Sequence, residues 1–469
     1  MNASSRATRR DILKTIGVAS LLGTPAAPLM ARRHIAAGNT NVLWLMSDEH
    51  SPFVAGYAGN RVVRTPHLDG LARKSVEFSA CYTPDPICVP ARKAFSTGKM
   101  ASNLSLSPSP CEAMGPYFTR MGFETGWFGK QGWEDLGNRF GDEGESCDKV
   151  VDQRFHDAGM PRPESTRLVE DAALAYWGTD LNEDTVATDQ ALAFLDRVGS
   201  RRFFLGVSYV KPHFPYCIQP EYHALYAASP VPRPRVTDAM LNNLSTAMKE
   251  DRITFGIDQL TRAQSDFARA VYYGMVSYMD EQVGRVLARL DQLGLRGNTL
   301  VVYMSDHGEM LGQHGIWYKN AFLEGSARVP LLVSLPGTLP PPLRPRIAAP
   351  VNSIDIFPTL CEACGLQPPD TVEGQSLLPL MDGRDPGTQR VAFSENRRRG
   401  IPSRMIRTGE YKYCYYEDGV EQLYDMRGAD RDVEGTNLAA DPAHAALKAD
   451  LKQRALEGWN PDGLFDDNG

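Results

Sequence analysis

Positive charge is in short supply in this chain. Lys and Arg together number 50 against 57 Asp and Glu, a formal net charge of -7. That balance excludes the basic footprint of a nucleic-acid-binding surface and a polybasic membrane patch. It leaves small molecules as the expected partners. There is no internal repeat and no low-complexity tract, which excludes solenoid and fibrous architectures. Past the N-terminal region no run reads as a membrane helix. The eight cysteines, Cys81, Cys88, Cys111, Cys147, Cys217, Cys361, Cys364 and Cys414, form no zinc-type cluster. Cys361 and Cys364 have redox-pair spacing, but they lie in the apolar stretch 354–364, where core positions of a helix are the expected reading. What remains, 42% hydrophobic and 23% charged over 469 residues, is the make-up of a globular enzyme with one large α/β domain and a smaller one.

Residues 1–37 read as a leader rather than as part of the fold. Thr8-Arg9-Arg10-Asp11-Ile12-Leu13-Lys14 precedes the short apolar run Ile16-Gly17-Val18-Ala19-Ser20-Leu21-Leu22, and small residues follow. A basic region, a short apolar core and small residues make an export signal. The Arg pair resembles the bacterial twin-arginine type. The expected location is periplasmic or secreted.

Further on, 41–46 is an apolar run ending in Ser47-Asp48-Glu49-His50. A second, 202–210, ends in Lys211-Pro212-His213, and a third, 299–304, in Ser305-Asp306-His307. A fourth covers 329–335. Continuous apolar runs of this length read as strands buried on both faces. A short helix starting near Pro66 and a long amphipathic stretch, 265–293, are interspersed with them. The expected fold is therefore α/β: a large, mostly parallel sheet flanked by helices over 38–380, then a smaller C-terminal α+β unit over 381–469. In that unit 405–408 and 411–416 frame the hairpin signal Gly409-Glu410, and a helix follows from about Pro442. Ligands collect beyond the carboxyl ends of parallel strands, and three of these ends carry Asp, Glu, His or Lys. The polar stretches 141–190 and 216–262 read as insertions that shape a pocket, and the proline-rich 336–345 as a loop.

The most informative segment is Pro84-Asp85-Pro86-Ile87-Cys88-Val89-Pro90-Ala91-Arg92-Lys93-Ala94-Phe95-Ser96-Thr97-Gly98. It fits C-x-P-x-R with T-G beginning five residues after the Arg. Pro90 has a fixed φ and no N–H, which suits a first helical turn. A helix from about Ala91 directs free N–H groups and its positive end at the Cys88 side chain, a favourable place for a sulfate or phosphate oxygen.

This pattern resembles the signature of the type I sulfatases in the alkaline phosphatase superfamily, with Ala91 where a serine is usual. The likeness continues in family order through Asp48, Thr65-Pro66-His67-Leu68-Asp69, Gly129-Lys130, Lys211-Pro212-His213, Asp306-His307-Gly308-Glu309, Lys319 and Gln422-Leu423-Tyr424-Asp425. The Asp-Glu and Asp-His pairings are similar to the choline-sulfatase and phosphonate-monoester-hydrolase side of the family. The resemblance implies an alkaline-phosphatase-like fold and a sulfuric ester hydrolase. It implies that a formylglycine-generating enzyme oxidises Cys88 to formylglycine. It further implies one divalent metal, Ca or else Mn or Mg, held by Asp48, Glu49, Asp306, His307 and an oxygen of the hydrated residue 88. Arg92, Lys130 and Lys319 would neutralise the sulfate and the nucleophile, and His213 would touch the ester oxygen or supply an acid. One hydroxyl of the hydrated aldehyde would attack sulfur; the second would then lose its proton and expel sulfate.

There is one departure. The family's usual G-K-x-H reads Gly129-Lys130-Gln131-Gly132. The expectation is that Gly132 leaves room near residue 88 and that His213 or His50 carries part of the missing histidine's work. Two other readings stand beside the sulfatase: a phosphonate monoester or phosphodiester hydrolase on the same scaffold, and a catalytically silent binding protein. Intact Cys88, Arg92, Asp48 and Asp306 weigh against the latter. The expected partners are a small sulfate ester and the maturation enzyme, with no nucleic acid and no stable membrane insertion; a homo-oligomer is left open.

Overall fold

The strand Asn41–Ser47 is buried along its whole length and divides its side chains between two cores. Val42, Trp44 and Met46 enter one; Leu43 and Leu45 enter the other. This alternation is what a central strand covered on both faces requires, and it explains the unbroken apolar run. The computed structural model describes residues 39–465 except 107–110, 134–135, 159–172, 175–181, 229–230, 337–345 and 429–433. The leader, the middle of the 141–190 insertion and most of the proline-rich loop lie outside the described residues.

A seven-stranded sheet is built around that strand. Its order is Arg346–Ile347, Val76–Phe78, Leu331–Ser334, Thr299–Ser305, Asn41–Ser47, Phe203–Ser208, Glu124–Gly129. The last four run parallel to one another. Leu331–Ser334 is antiparallel to both its neighbours. The sheet is thus mixed and mostly parallel, as expected. On one face lie helix Cys88–Thr97, through Ala91, Ala94 and Phe95, and helix Ile356–Ala363, through Phe357 and Leu360. On the other lie Glu183–Val198, through Ala191 and Phe194, and the 31-residue Arg262–Gln292, through Met279, Val283 and Val286. The latter opens with a capping box between Thr261 and Gln264.

Helix Cys88–Thr97 begins three residues earlier than the expected start near Ala91. Cys88 is its first residue, with Ile87 in extended conformation as its N-cap. The cause is that Ala91 N–H already donates to Ile87 O, so Pro90 occupies the first turn, where its missing N–H costs no bond. Cys361 and Cys364 are buried in the core, and all eight cysteines are free thiols.

At the C-terminus Ala392–Arg398, Ile401–Arg407, Tyr411–Tyr416 and Glu421–Asp425 form an antiparallel sheet in sequence order, and helix Ala445–Leu456 covers it through Leu451 and Ala455. This sheet reaches back to the catalytic segment. Glu395 N–H donates to Pro84 O, and Glu395 Oε1 accepts from Ser102 N–H. Lys412, fully buried, donates to Phe322 O at 2.8 Å and to Glu324 Oε1 at 3.0 Å, and also pairs with Glu434. The segments carrying Cys88 and Lys319 are therefore anchored from the same side.

Trp127 lies opposite Gly206 in the parallel register, and a Cβ on Gly206 would meet the Trp127 ring at 2.0 Å. Close packing leaves no slack for that methyl group. Gly206→Ala is expected to lower the unfolding free energy by about 1–3 kcal/mol in a denaturant titration; an unchanged midpoint would contradict the packing described.

Candidate active site

Register places the key carboxylates. Ser47 pairs with Ser305 across adjacent parallel strands, so Asp48 and Asp306 leave the sheet side by side. On the other flank Ser208 pairs with Gly129, which brings Lys130 beside the segment Lys211-Pro212-His213. The N-terminus of helix Cys88–Thr97 meets these ends. One ligand atom each from Asp48, Cys88, Asp306 and His307 lies within 4.8 Å of the others, and all four residues are buried.

Arg92 is fully buried in the middle. Its Nε donates to Asp306 Oδ2 at 2.6 Å and one terminal nitrogen to Asp48 Oδ2 at 3.3 Å. The other terminal nitrogen donates to Lys130 O, Gln131 O and Ser208 Oγ. Every guanidinium nitrogen is engaged by the protein. Arg92 therefore orients the two carboxylates and is not turned outward to bind sulfate, a correction to the role the sequence suggests. Ser208, which sequence reasoning missed, completes its cage.

Lys130 and Lys319 are the two ammonium groups that face the reacting position. Lys130 Nζ pairs with Asp48 Oδ2 and keeps a quarter of its side chain exposed. Lys319 Nζ lies 3.0 Å from Cys88 Sγ, 3.3 Å from Glu49 Oε2 and 2.7 Å from His213 Nε2. The backbone that presents it is unusual: Tyr318 and Asn320, on either side, have φ of 65° and 68°. Such left-handed residues persist only where the surroundings hold them. Here Tyr318 N–H donates to Glu309 Oε1 at 2.8 Å, and Asn320 N–H to Pro86 O at 3.1 Å.

The charges act strongly on one another. Burial alone would raise the Asp48 carboxyl, but Lys130, His213, Arg92 and Lys319 outweigh it and hold the group well below the usual range. Burial and Asp48 both oppose ionisation of Cys88; Lys130, Lys319 and His307 reverse this and bring the thiol well below its ordinary value. Burial pushes Glu49 well up, and the Glu309 and Asp48 carboxyls add to it against Lys319.

His307 Nδ1 donates to Gly308 O at 3.0 Å, which leaves Nε2 facing Cys88 Sγ at 3.1 Å and Asp48 Oδ1 at 3.4 Å. His213 Nδ1 donates to Phe214 O, so its Nε2 accepts from Lys319. Burial first, then Lys319, lowers the His213 pKa.

One expectation changes. His50 is turned away: its ring nitrogens bond Tyr303 Oη at 2.6 Å and Val54 O at 2.8 Å, and burial lowers its pKa to about 4. It cannot stand in for the missing histidine. Glu49 lies outside the four-residue group but forms a second one with Asp48 and His213, whose ligand atoms also lie within 4.8 Å of one another; its φ is 63°, and Oε2 stands 3.4 Å from His213 Nε2.

The backbone at Gly132 is constrained. Its φ is +86°, and a Cβ there would lie 3.1 Å from Arg92 Cδ. Gly132 packs against Arg92. Gly132→His is expected to lose about 1–2 kcal/mol of unfolding free energy from the backbone alone and to gain no turnover. A stable and faster variant would contradict this.

From Lys130 and His213 a cavity of ≈ 700 Å³ opens outward, within the range of small-molecule sites. A nucleophile at a helix start, a carboxylate–imidazole nest and two ammonium groups beside an open cavity define a hydrolase of anionic esters.

Comparison with known proteins agrees. The sulfatase family model matches residues 40–366, and the model described as N-sulphoglucosamine sulphohydrolase, C-terminal, matches 312–459. The chain belongs to the sulfatase family of the alkaline phosphatase superfamily and is a sulfuric ester hydrolase. It is 28% identical over 435 residues to an ulvan-active sulfatase of Formosa agariphila, covering 88% of this chain and 79% of that one. It is 29% identical over 455 residues to a choline-sulfatase of Rhizobium meliloti, covering 89% and 86%. In fold it resembles a phosphonate monoester hydrolase from Silicibacter pomeroyi, with a TM-score of 0.75 at 24% identity over 89% of this chain and 94% of that one.

Proposed function

We propose that this protein cleaves a sulfate ester with residue 88, matured from cysteine to formylglycine, as the nucleophile. One observation carries the reading: Cys88 begins a buried helix, and its Sγ faces Lys319 Nζ at 3.0 Å, His307 Nε2 at 3.1 Å and Asp48 Oδ1 at 3.6 Å. A hydrated aldehyde supplies two oxygens on one carbon: one, its proton released to solvent, takes the sulfuryl group, and the deprotonation of the other lets sulfate go.

The donor set fits a divalent metal. Two carboxylates and an imidazole with its Nε2 lone pair turned inward meet at one buried point. Asp48, Asp306 and His307 would hold the ion, with residue 88. Their oxygens suit Ca or Mg, and the imidazole tilts the set towards Mn. Such an ion draws charge from a sulfate oxygen and acidifies a hydroxyl.

The other residues divide the remaining work. Arg92 holds Asp48 and Asp306 in place. Lys130 and Lys319 place positive charge where the ester's negative oxygens arrive. As the bond from sulfur to the alcohol oxygen breaks, that oxygen takes a proton. Lys319 Nζ and His213 Nε2, 2.7 Å apart, would form the pair that supplies it. The same pair, one proton short, then accepts the proton lost from residue 88 as sulfate departs. This pairing replaces the histidine absent at Gly132. The leader would carry the protein to the periplasm, where sulfate esters are met.

Cys88→Ala is expected to abolish turnover of 4-nitrophenyl sulfate with unchanged thermal unfolding. In the parent, mass spectrometry of the Cys88 peptide should show the mass of the aldehyde in place of the thiol. Turnover by the alanine variant, or a wholly unconverted yet fully active parent, would contradict the proposal.

A further inference from the structure

Gln219 is the residue that the reaction leaves unexplained. Only 1% of it is exposed. Both its polar side-chain atoms, Oε1 and Nε2, lack a hydrogen-bond partner among the described residues. It precedes helix Pro220–Ala224 but makes no capping bond. Leaving a buried amide unpaired is costly, and such a group calls for a water, an ion or a ligand. Gln219 lines the cavity that opens from Lys130 and His213.

Two of the other polar walls are already committed. Asp184 accepts from Val210 N–H and Lys211 N–H, and Asn182 caps the helix that follows it. Gln219 therefore has an unmet donor and an unmet acceptor in one plane. A hydroxyl group is both acceptor and donor, so one or two neighbouring hydroxyls satisfy it. A quaternary ammonium offers neither, and an unsubstituted aryl ring offers neither.

The rings point the same way. Among the described lining residues the aromatic rings are Phe155 and Phe214. Lys319 Nζ already stands 5.0 Å from the centroid of the Phe214 ring, while the lining carries Lys130, Arg139 and Lys211 beside five carboxylates, Glu183 and Asp184 among them, so the disfavour for a cation rests on the ring and not on net charge. A cationic leaving group would find its nearest aromatic face occupied by a like charge. The volume of ≈ 700 Å³ has room for one or two sugar rings.

We infer that the cavity takes the alcohol half of the substrate as a polyhydroxylated ring, a carbohydrate sulfate, and that Gln219 selects it by hydrogen bonding to a ring hydroxyl. This deepens the sulfatase reading and rests on it.

The test compares the matured parent with Gln219→Met, which keeps length and removes both polar atoms. The substrates are 4-nitrophenyl sulfate, choline sulfate, and glucose and galactose carrying one sulfate at the 2-, 3-, 4- or 6-hydroxyl. The parent should prefer at least one sugar sulfate to choline sulfate. In the variant the kcat/KM ratio of that sugar to the aryl ester should fall roughly 10- to 100-fold. Thermal unfolding without substrate should be unchanged or raised, because an unpaired amide has gone; a purely structural Gln would give a lower midpoint. Should Gln219→Met fail to fold, Gln219→Glu, which keeps acceptors and loses the donor, must lower the same ratio. A parent that prefers choline sulfate to every sugar, or a ratio untouched by substitution, overturns the inference while the sulfatase reading stands. A matured parent that hydrolyses no sulfate ester overturns both.

Discussion

The buried guanidinium of Arg92, bonded to Asp306 at 2.6 Å and Asp48 at 3.3 Å, is the interaction on which the site depends. A charge taken wholly out of water survives only if it is paired and its donors are filled. Arg92 meets both conditions by drawing on the ends of four parallel strands: Asp48 and Asp306 from two, Ser208 Oγ from the third, and the Lys130 carbonyl from the fourth. Moving any of these strands would strand a charge. The register of the sheet and the geometry of the reacting position are thus one constraint.

That constraint shapes the electrostatics. The carboxylates gathered by Arg92 form a negative nest that Lys130 closes from outside through Asp48, with Lys319 beside it on Cys88 Sγ and Glu49. The nest can hold a cation, while the two ammonium groups at its mouth draw in an anion. Opposite charges a few ångströms apart in a poorly solvated site act far more strongly than they would in water. The strain on either side of Lys319 is borne by bonds to Glu309 and Pro86, and the C-terminal sheet reinforces both sides through Glu395 and Lys412. The C-terminal sheet thus supports the catalytic segments without contributing a reacting group.

Much of this could be read in the sequence, for identifiable reasons. Unbroken apolar runs with polar ends located three of the four strands whose ends carry the site. The cysteine motif located the helix. The strand Glu124–Gly129 escaped notice because Glu124 and Thr125 are polar and Gly126 and Gly129 add no apolar pattern; its glycines are there because side chains of neighbouring elements, such as Phe194 over Gly126, fill their space. Where the side chains turn could not be read. His50 and Glu49 are adjacent to Asp48, yet one faces Tyr303 and the other Lys319, because a positive φ at Glu49 redirects the chain. Gln219 carried no signal at all: a lone Gln before a Pro becomes informative only once its burial and missing partners are seen.

The most direct test of the central claim is an anomalous difference map from crystals of the matured protein grown with Mn²⁺. The account predicts one strong peak per chain, bounded by Asp48, Asp306, His307 and residue 88, with Glu49 outside its coordination. A peak at any other place, or none at this nest in Mn²⁺-loaded active protein, would contradict it.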